Sequence, residues 1–138
     1  MTRIVADASI VGNVMLPDEL GDLSVALAER LTSSELIQPA HWPIETCGLI
    51  LKAARRNRLP ADERDDALAA TLGLIASSQI ESISRTPAVV ELALRYHLTI
   101  YDAAYLELAL FADIPLLTSD TALRVAAERA GAQLVPLP

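Results

Sequence analysis

Short apolar runs, each too brief to be a buried helix, alternate with amphipathic stretches of helix length along this chain. That alternation is the pattern of βα units, and it constrains the fold more than any other feature. The first run, Ile4, Val5 and Ala6, ends at Asp7 and reads as a buried strand delivering that acid to the carboxyl edge of a sheet. A short helix over 10–16 is then broken by Pro17. Asp22 can cap a second helix, with Leu23, Leu27 and Leu31 on one face. Residues 36–39 form a second strand. A helix over 43–56 starts with Pro43 in its first turn and carries an apolar stripe of Ile44, Cys47, Ile50 and Leu51.

Pro60 opens the next helix, with Asp62 and Glu63 at its positive end and Leu68, Leu72 and Ile75 as apolar members. Residues 80–83 give strand three. A helix over 86–95 follows and leaves through His97 and Leu98. Asp102 begins a very apolar helix, residues 115–118 give strand four, and Asp120 opens a helix to Ala130 with Gly131 as its C-cap. Residues 133–135 complete five strands. The expected fold is a three-layer α/β/α sandwich with a five-stranded, mainly parallel sheet, in a single domain over 1–138.

Composition agrees with a packed domain. At 138 residues the chain suits one core, and its 52% hydrophobic content excludes a disordered tail. One cysteine permits no intrachain disulfide, and two distant histidines argue against a histidine-built metal site. No signal-peptide pattern or bilayer-length apolar run is present, so a soluble cytoplasmic protein is expected. The net charge of −7 disfavours nonspecific coating of nucleic acid, though it leaves catalysis on nucleic acid open.

Asp7, Glu45, Asp102 and Asp120 stand apart from the other acids, because a parallel sheet sends all four to one edge. Carboxylates converging there would repel unless protonated or bound to a cation. Oxygen ligands without histidine or thiol point to Mg²⁺ or Mn²⁺, which can position water and offset charge on a phosphoryl group. The same acids can equally serve as helix caps or dipole partners.

Four segments narrow the choice: VADAS at 5–9, residues 39–45, YDAAYLELA at 101–109 and LTSD at 117–120. Together they resemble the PIN-domain family, in particular its VapC-type toxins, over residues 3–135. The resemblance implies a metal-dependent endoribonuclease that hydrolyses RNA phosphodiesters with a metal-activated water, is usually dimeric, and is inhibited by a small antitoxin protein. It places Asp7, Glu45, Asp102 and Asp120 in the acidic metal-binding cluster, Asp7 and Asp102 as the most direct ligands. Ser9 and Thr118 match its accompanying hydroxyls, which can orient a carboxylate or a metal-bound water.

Lys52, Arg55, Arg56 and Arg58 form the densest basic run and can hold RNA phosphates or an acidic stretch of an antitoxin; they can also simply complement a helix end. Arg85 and Arg124 are isolated cations. His41 lies near the site but is not expected as a ligand. Trp42 can pack beneath its helix or stack on a base. Tyr101 and Tyr105 should bury their rings, Cys47 reads as a small buried hydrophobe, and Glu107 as an exposed or interfacial residue outside the cluster.

Other functions fit less well. A receiver-like domain would have adjacent acids after strand one and a late lysine, but Ala8 follows Asp7 and the last third has no lysine. An aspartyl phosphatase would have a second Asp where Ser9 stands. A P-loop enzyme lacks its glycine-rich loop here. A non-catalytic domain binding RNA or protein, and a DNA-directed nuclease, stay open.

Overall fold

The computed structural model describes residues 1–16 and 21–138. Pro17, the expected breaker of the first helix, lies outside the described residues. Among the described residues the sheet has four strands in the order β3-β2-β1-β4, and every pairing is parallel. These are β1 (Thr2–Ala6), β2 (Ser34–Gln38), β3 (Gln79–Ile80) and β4 (Leu116–Leu117). Ile4, Val5 and Ala6 of the inner strand β1 are wholly buried, which is why the run reads as continuously apolar rather than alternating.

The fifth strand expected over 133–135 shrinks to a single parallel bridge between Leu116 and Leu134. Its bonds are Leu116 N–H to the Gln133 carbonyl and Val135 N–H to the Leu116 carbonyl, both 2.9 Å. Pro136 then supplies no N–H with which to extend the ladder. Strand three is also shorter than the expected 80–83, and Ile83 is 72% exposed.

Seven helices among the described residues cover the sheet: α1 (Ala8–Met15), α2 (Asp22–Thr32), α3 (Trp42–Arg55), α4 (Ala61–Ala76), α5 (Thr86–Tyr96), α6 (Ile100–Ala112) and α7 (Thr121–Ala130). The result is an α/β/α arrangement. Helix α6 buries Tyr105, Leu106, Leu108 and Ala109 in the main core, accounting for the apolar run in its second half. A smaller cluster of Leu16, Ile50, Ala53, Leu59 and Ala67 ties α1, α3 and α4 together.

Several helix details depart from the sequence reading. Gly21, at φ 58°, is the N-cap of α2, and Asp22 is its first helical residue rather than its cap. Leu27 and Leu31 are buried, whereas Leu23 is exposed. In α3 the buried face is Trp42, Thr46, Ile50 and Ala53, while Ile44 is 80% exposed, Leu51 is exposed and Cys47 only half-buried. Thr46 tolerates burial because its hydroxyl donates to the Trp42 carbonyl at 2.8 Å. Thr71 does the same in α4, and Leu72 faces outward. Helix α6 begins at Ile100, before Asp102, because Thr99 caps it by accepting from the Asp102 N–H at 3.1 Å. His97 terminates α5 in the left-handed conformation, and Gly131 does so for α7, as expected.

Candidate active site

The site is built on the carboxyl end of β1. On one side β1 pairs with β2 only as far as Ile4 and Leu36, while on its other side it pairs with β4 at Val5 and Ala6. The gap is closed by the buried side chain of Gln38. Its Nε2 donates to the Ala6 carbonyl at 2.9 Å, and its Oε1 accepts from the Ala6 N–H at 3.3 Å. One side chain thus takes both places of a neighbouring peptide, satisfying backbone groups that would be costly to leave unpaired.

Asp7 follows directly and is 3% exposed. Its N–H donates to the Leu117 carbonyl at 3.1 Å, anchoring it to β4. Ser9 Oγ donates to Oδ1 at 2.5 Å and Thr118 Oγ1 to Oδ2 at 2.6 Å, so both carboxyl oxygens are held from opposite sides. Thr118 Oγ1 in turn accepts from the Asp120 N–H at 3.0 Å, and Asp120 caps α7 through Leu123 N–H at 2.8 Å. Ser119 Oγ lies 3.1 Å from Ser9 Oγ and donates to Asn13 Oδ1 at 2.6 Å. Arg124 Nη1 donates to the Thr118 carbonyl at 3.0 Å, bracing the same turn from α7.

Burial pushes the Asp7 carboxyl from its ordinary 3.8 up to about 7, against the opposing pull of Ser9, Thr118 and the Ile10 N–H; the Asp102 charge adds to the rise. Asp102 is raised by burial, then by the charges of Asp120 and Glu45, with Thr99 and His41 opposing. Asp102 is therefore within electrostatic reach of Asp7, Glu45 and Asp120. Among the described residues, no group of three or more His, Cys, Asp or Glu side chains stands ready to hold a metal ion.

Helix α3 and Tyr105 supply the other wall. His41 Nε2 and Glu45 Oε2 are 3.3 Å apart, within ion-pair range but without hydrogen-bond geometry. The His41 ring packs edge-on against Tyr105 at 4.7 Å and tilted against Tyr101 at 5.6 Å. Burial, with the charges of Glu45 and Asp7, pushes the Tyr105 phenol upward. The buried side-chain atoms without hydrogen-bond partners among the described residues are His41 Nε2, Trp42 Nε1, Glu45 Oε2 and Tyr105 Oη. Trp42 is wholly buried, so it packs and offers no face to a base. Tyr105 buries its ring as expected, but Tyr101 is largely exposed.

Glu107 is a correction. It is buried, not exposed, because Arg85 Nε reaches its two carboxylate oxygens at 2.8 and 2.9 Å while Arg85 also contacts Glu81 at 3.4 Å and stacks 3.7 Å from the Phe111 ring. The isolated-looking Arg85 is thereby a structural tie between α5 and α6. Lys52, Arg55, Arg56 and Arg58 are all exposed around the carboxyl end of α3. Sequence reasoning missed Gln38, Asn13, Ser119 and the bracing role of Arg124. Gln38 gave one signal, a polar residue closing an apolar run; the other three depend on contacts distant in sequence.

The PIN-domain family matches residues 4–129, and the chain belongs to that family. Among solved structures it is similar to PAE2754 from Pyrobaculum aerophilum, at 19% identity and a TM-score of 0.73, covering 97% of this chain and 90% of that one. FitAcB from Neisseria gonorrhoeae is similar at 15% identity and a TM-score of 0.57, covering 96% of each chain. A structure of FitAB bound to the IR36 DNA fragment matches at 13% identity and a TM-score of 0.66, covering 96% of this chain and 93% of that one. At these identities the likeness is one of fold. No curated protein matches the sequence. Among the described residues no helix is long and apolar enough to cross a membrane.

Proposed function

We propose that the protein is a metal-dependent endoribonuclease, the VapC-type toxin of a toxin–antitoxin pair. The observation that carries this reading is the convergence on Asp102 of the charges of Glu45, Asp120 and Asp7, the last a buried carboxyl raised to about 7. Carboxylates held at such a cost suit a cationic ligand. Among the described residues Glu45 Oε2 has the 3.3 Å approach of His41 Nε2 but no hydrogen bond, which fits a group able to take a further contact. Asp7, Asp102, Glu45 and Asp120 would hold Mg²⁺ or Mn²⁺, which when bound activates water and offsets phosphoryl charge. Ser9 and Thr118 fix both oxygens of Asp7, so its lone pairs have set directions before any substrate arrives.

A homodimer and a small antitoxin belong to the same proposal and rest on the VapC-type resemblance. Leu51 and Leu72, exposed on α3 and α4, are apolar surface consistent with a partner. The test offers purified protein labelled total cellular RNA and matched single- and double-stranded DNA with Mg²⁺ or Mn²⁺, beside Asp7→Asn protein. Discrete cuts in RNA, abolished by chelator and by the substitution, are expected. Efficient DNA cleavage with intact RNA would redirect the reading to DNA, and binding without cleavage would make the domain non-catalytic.

A further inference from the structure

Between α1 and the carboxyl end of α3 lies a cavity of about 250 Å³, lined among others by Ser9, Asn13, Leu49, Lys52, Arg56 and Arg58. Lys52, Arg56 and Arg58, three of the chain's 11 basic residues, line it, although the chain carries −7 overall. One lining residue is shared with the candidate active site, because Ser9 lines the cavity while its hydroxyl is bonded to Asp7. An anion seated in the cavity is thus one side chain from the acidic cluster. The volume equals that of roughly eight waters at about 30 Å³ each, room for a phosphate with its sugar.

Helix stability alone does not account for this arrangement. Cations do complement a helix carboxyl end, but Arg56, the C-cap of α3, lies four residues after Lys52 and one turn above it, where like charges repel. Arg55, which sits between them in sequence and serves the dipole equally, does not line the cavity. A further pressure comes from the acids, whose charge repels a polyanion unless part of it is held nearby.

We propose that this cavity receives the phosphate of the nucleotide adjoining the scissile bond in a single-stranded RNA, with Lys52 and Arg56 as its principal charges. The inference rests on the nuclease reading for the word scissile, and on the cavity alone for the RNA phosphate. Phosphates held this way position a strand without reading its sequence.

The experiment measures binding of a labelled single-stranded RNA oligonucleotide to Asp7→Asn protein by fluorescence anisotropy across a salt series. Lys52→Gln with Arg56→Gln should lower the slope of log Kd against log salt by about 1.4, because each single-strand phosphate that a cation neutralises is worth about 0.7. Arg55→Gln should cost clearly less, and Arg129→Gln, on the last turn of α7, should change nothing. Thermal melts check that each variant is folded. Equal effects from Arg55→Gln and the pair would overturn the cavity in favour of diffuse attraction. Unchanged RNA binding in the pair, with abolished binding of a polyglutamate peptide, would assign the cavity to an acidic protein segment instead. Because binding needs no cleavage, a wild-type protein that cuts nothing while the slope changes as expected would remove the nuclease reading and keep the phosphate site.

Discussion

Asp7 and Glu45 belong to the same acidic edge but to differently finished walls. Around Asp7 the protein meets both carboxyl oxygens itself, through Ser9 and Thr118, and braces those residues through Ser119, Asn13 and the cap of α7. On the side of Glu45, one buried side-chain atom each of His41, Trp42, Glu45 and Tyr105 makes no hydrogen bond among the described residues. Buried polar groups are ordinarily paired, and concentrating the exceptions beside the acids is the mark of a site rather than of a core. The first wall is completed by the protein's own hydrogen bonds; the second is not.

The largest expected effect comes from breaking the finished wall at its charge. Asp7→Asn and Asp102→Asn should each lower RNA cleavage at least about a thousandfold, the equivalent of about 4 kcal/mol of charge stabilisation. Retained activity in both variants would remove catalysis from this edge. The same Asp7 substitution should stabilise the metal-free protein. Its carboxyl is raised to about 7, so the folded state holds a proton that the unfolded chain releases above 3.8. Wild-type stability therefore falls as pH rises from about 4 to 7, and by neutral pH the penalty is on the order of 4 kcal/mol. Denaturant melts across that range should show wild type and Asp7→Asn converging at low pH and separating near pH 7, with Mg²⁺ narrowing the gap by stabilising the wild type.

A milder break removes one support. Thr118→Val keeps the β-branched shape but loses the bond to Asp7 Oδ2, and should cost about 10–100-fold in activity or metal affinity. It should also push the Asp7 carboxyl higher still, readable by NMR titration. The smallest effect tests the other wall. Tyr105→Phe deletes a buried hydroxyl whose approach to the Ala8 backbone falls short of hydrogen-bond geometry, so metal-free stability should hold or rise by up to about 1 kcal/mol. A drop of that size instead would erase the contrast between the walls.

The βα alternation is visible in the sequence because each strand is a short apolar run and each helix has a recognisable start. Asp7, Glu45, Asp102 and Asp120 stand at element ends, where topology makes them neighbours. Faces are harder to read. The stripe of Ile44 and Leu51 follows helical spacing but points outward, since Trp42 anchors α3 and a self-bonded Thr46 passes as a buried residue. Glu107 is misread for a related reason: its partner Arg85 lies on another helix, and burial of a charge is legible only once both are seen. The last strand falls short because a single residue between loop and proline satisfies the apolar pattern without supporting a ladder.

Gln38 gives the floor of the site an unusual dynamic signature. The Ala6 amide is bonded to a side chain rather than to a strand, so its protection from hydrogen exchange depends on one rotamer rather than on the opening of the sheet. Exchange at that single amide, compared with its neighbours on β1, times how often the support beneath Asp7 lets go. Gln38→Leu would leave the surrounding sheet to exchange slowly while Ala6 becomes fast.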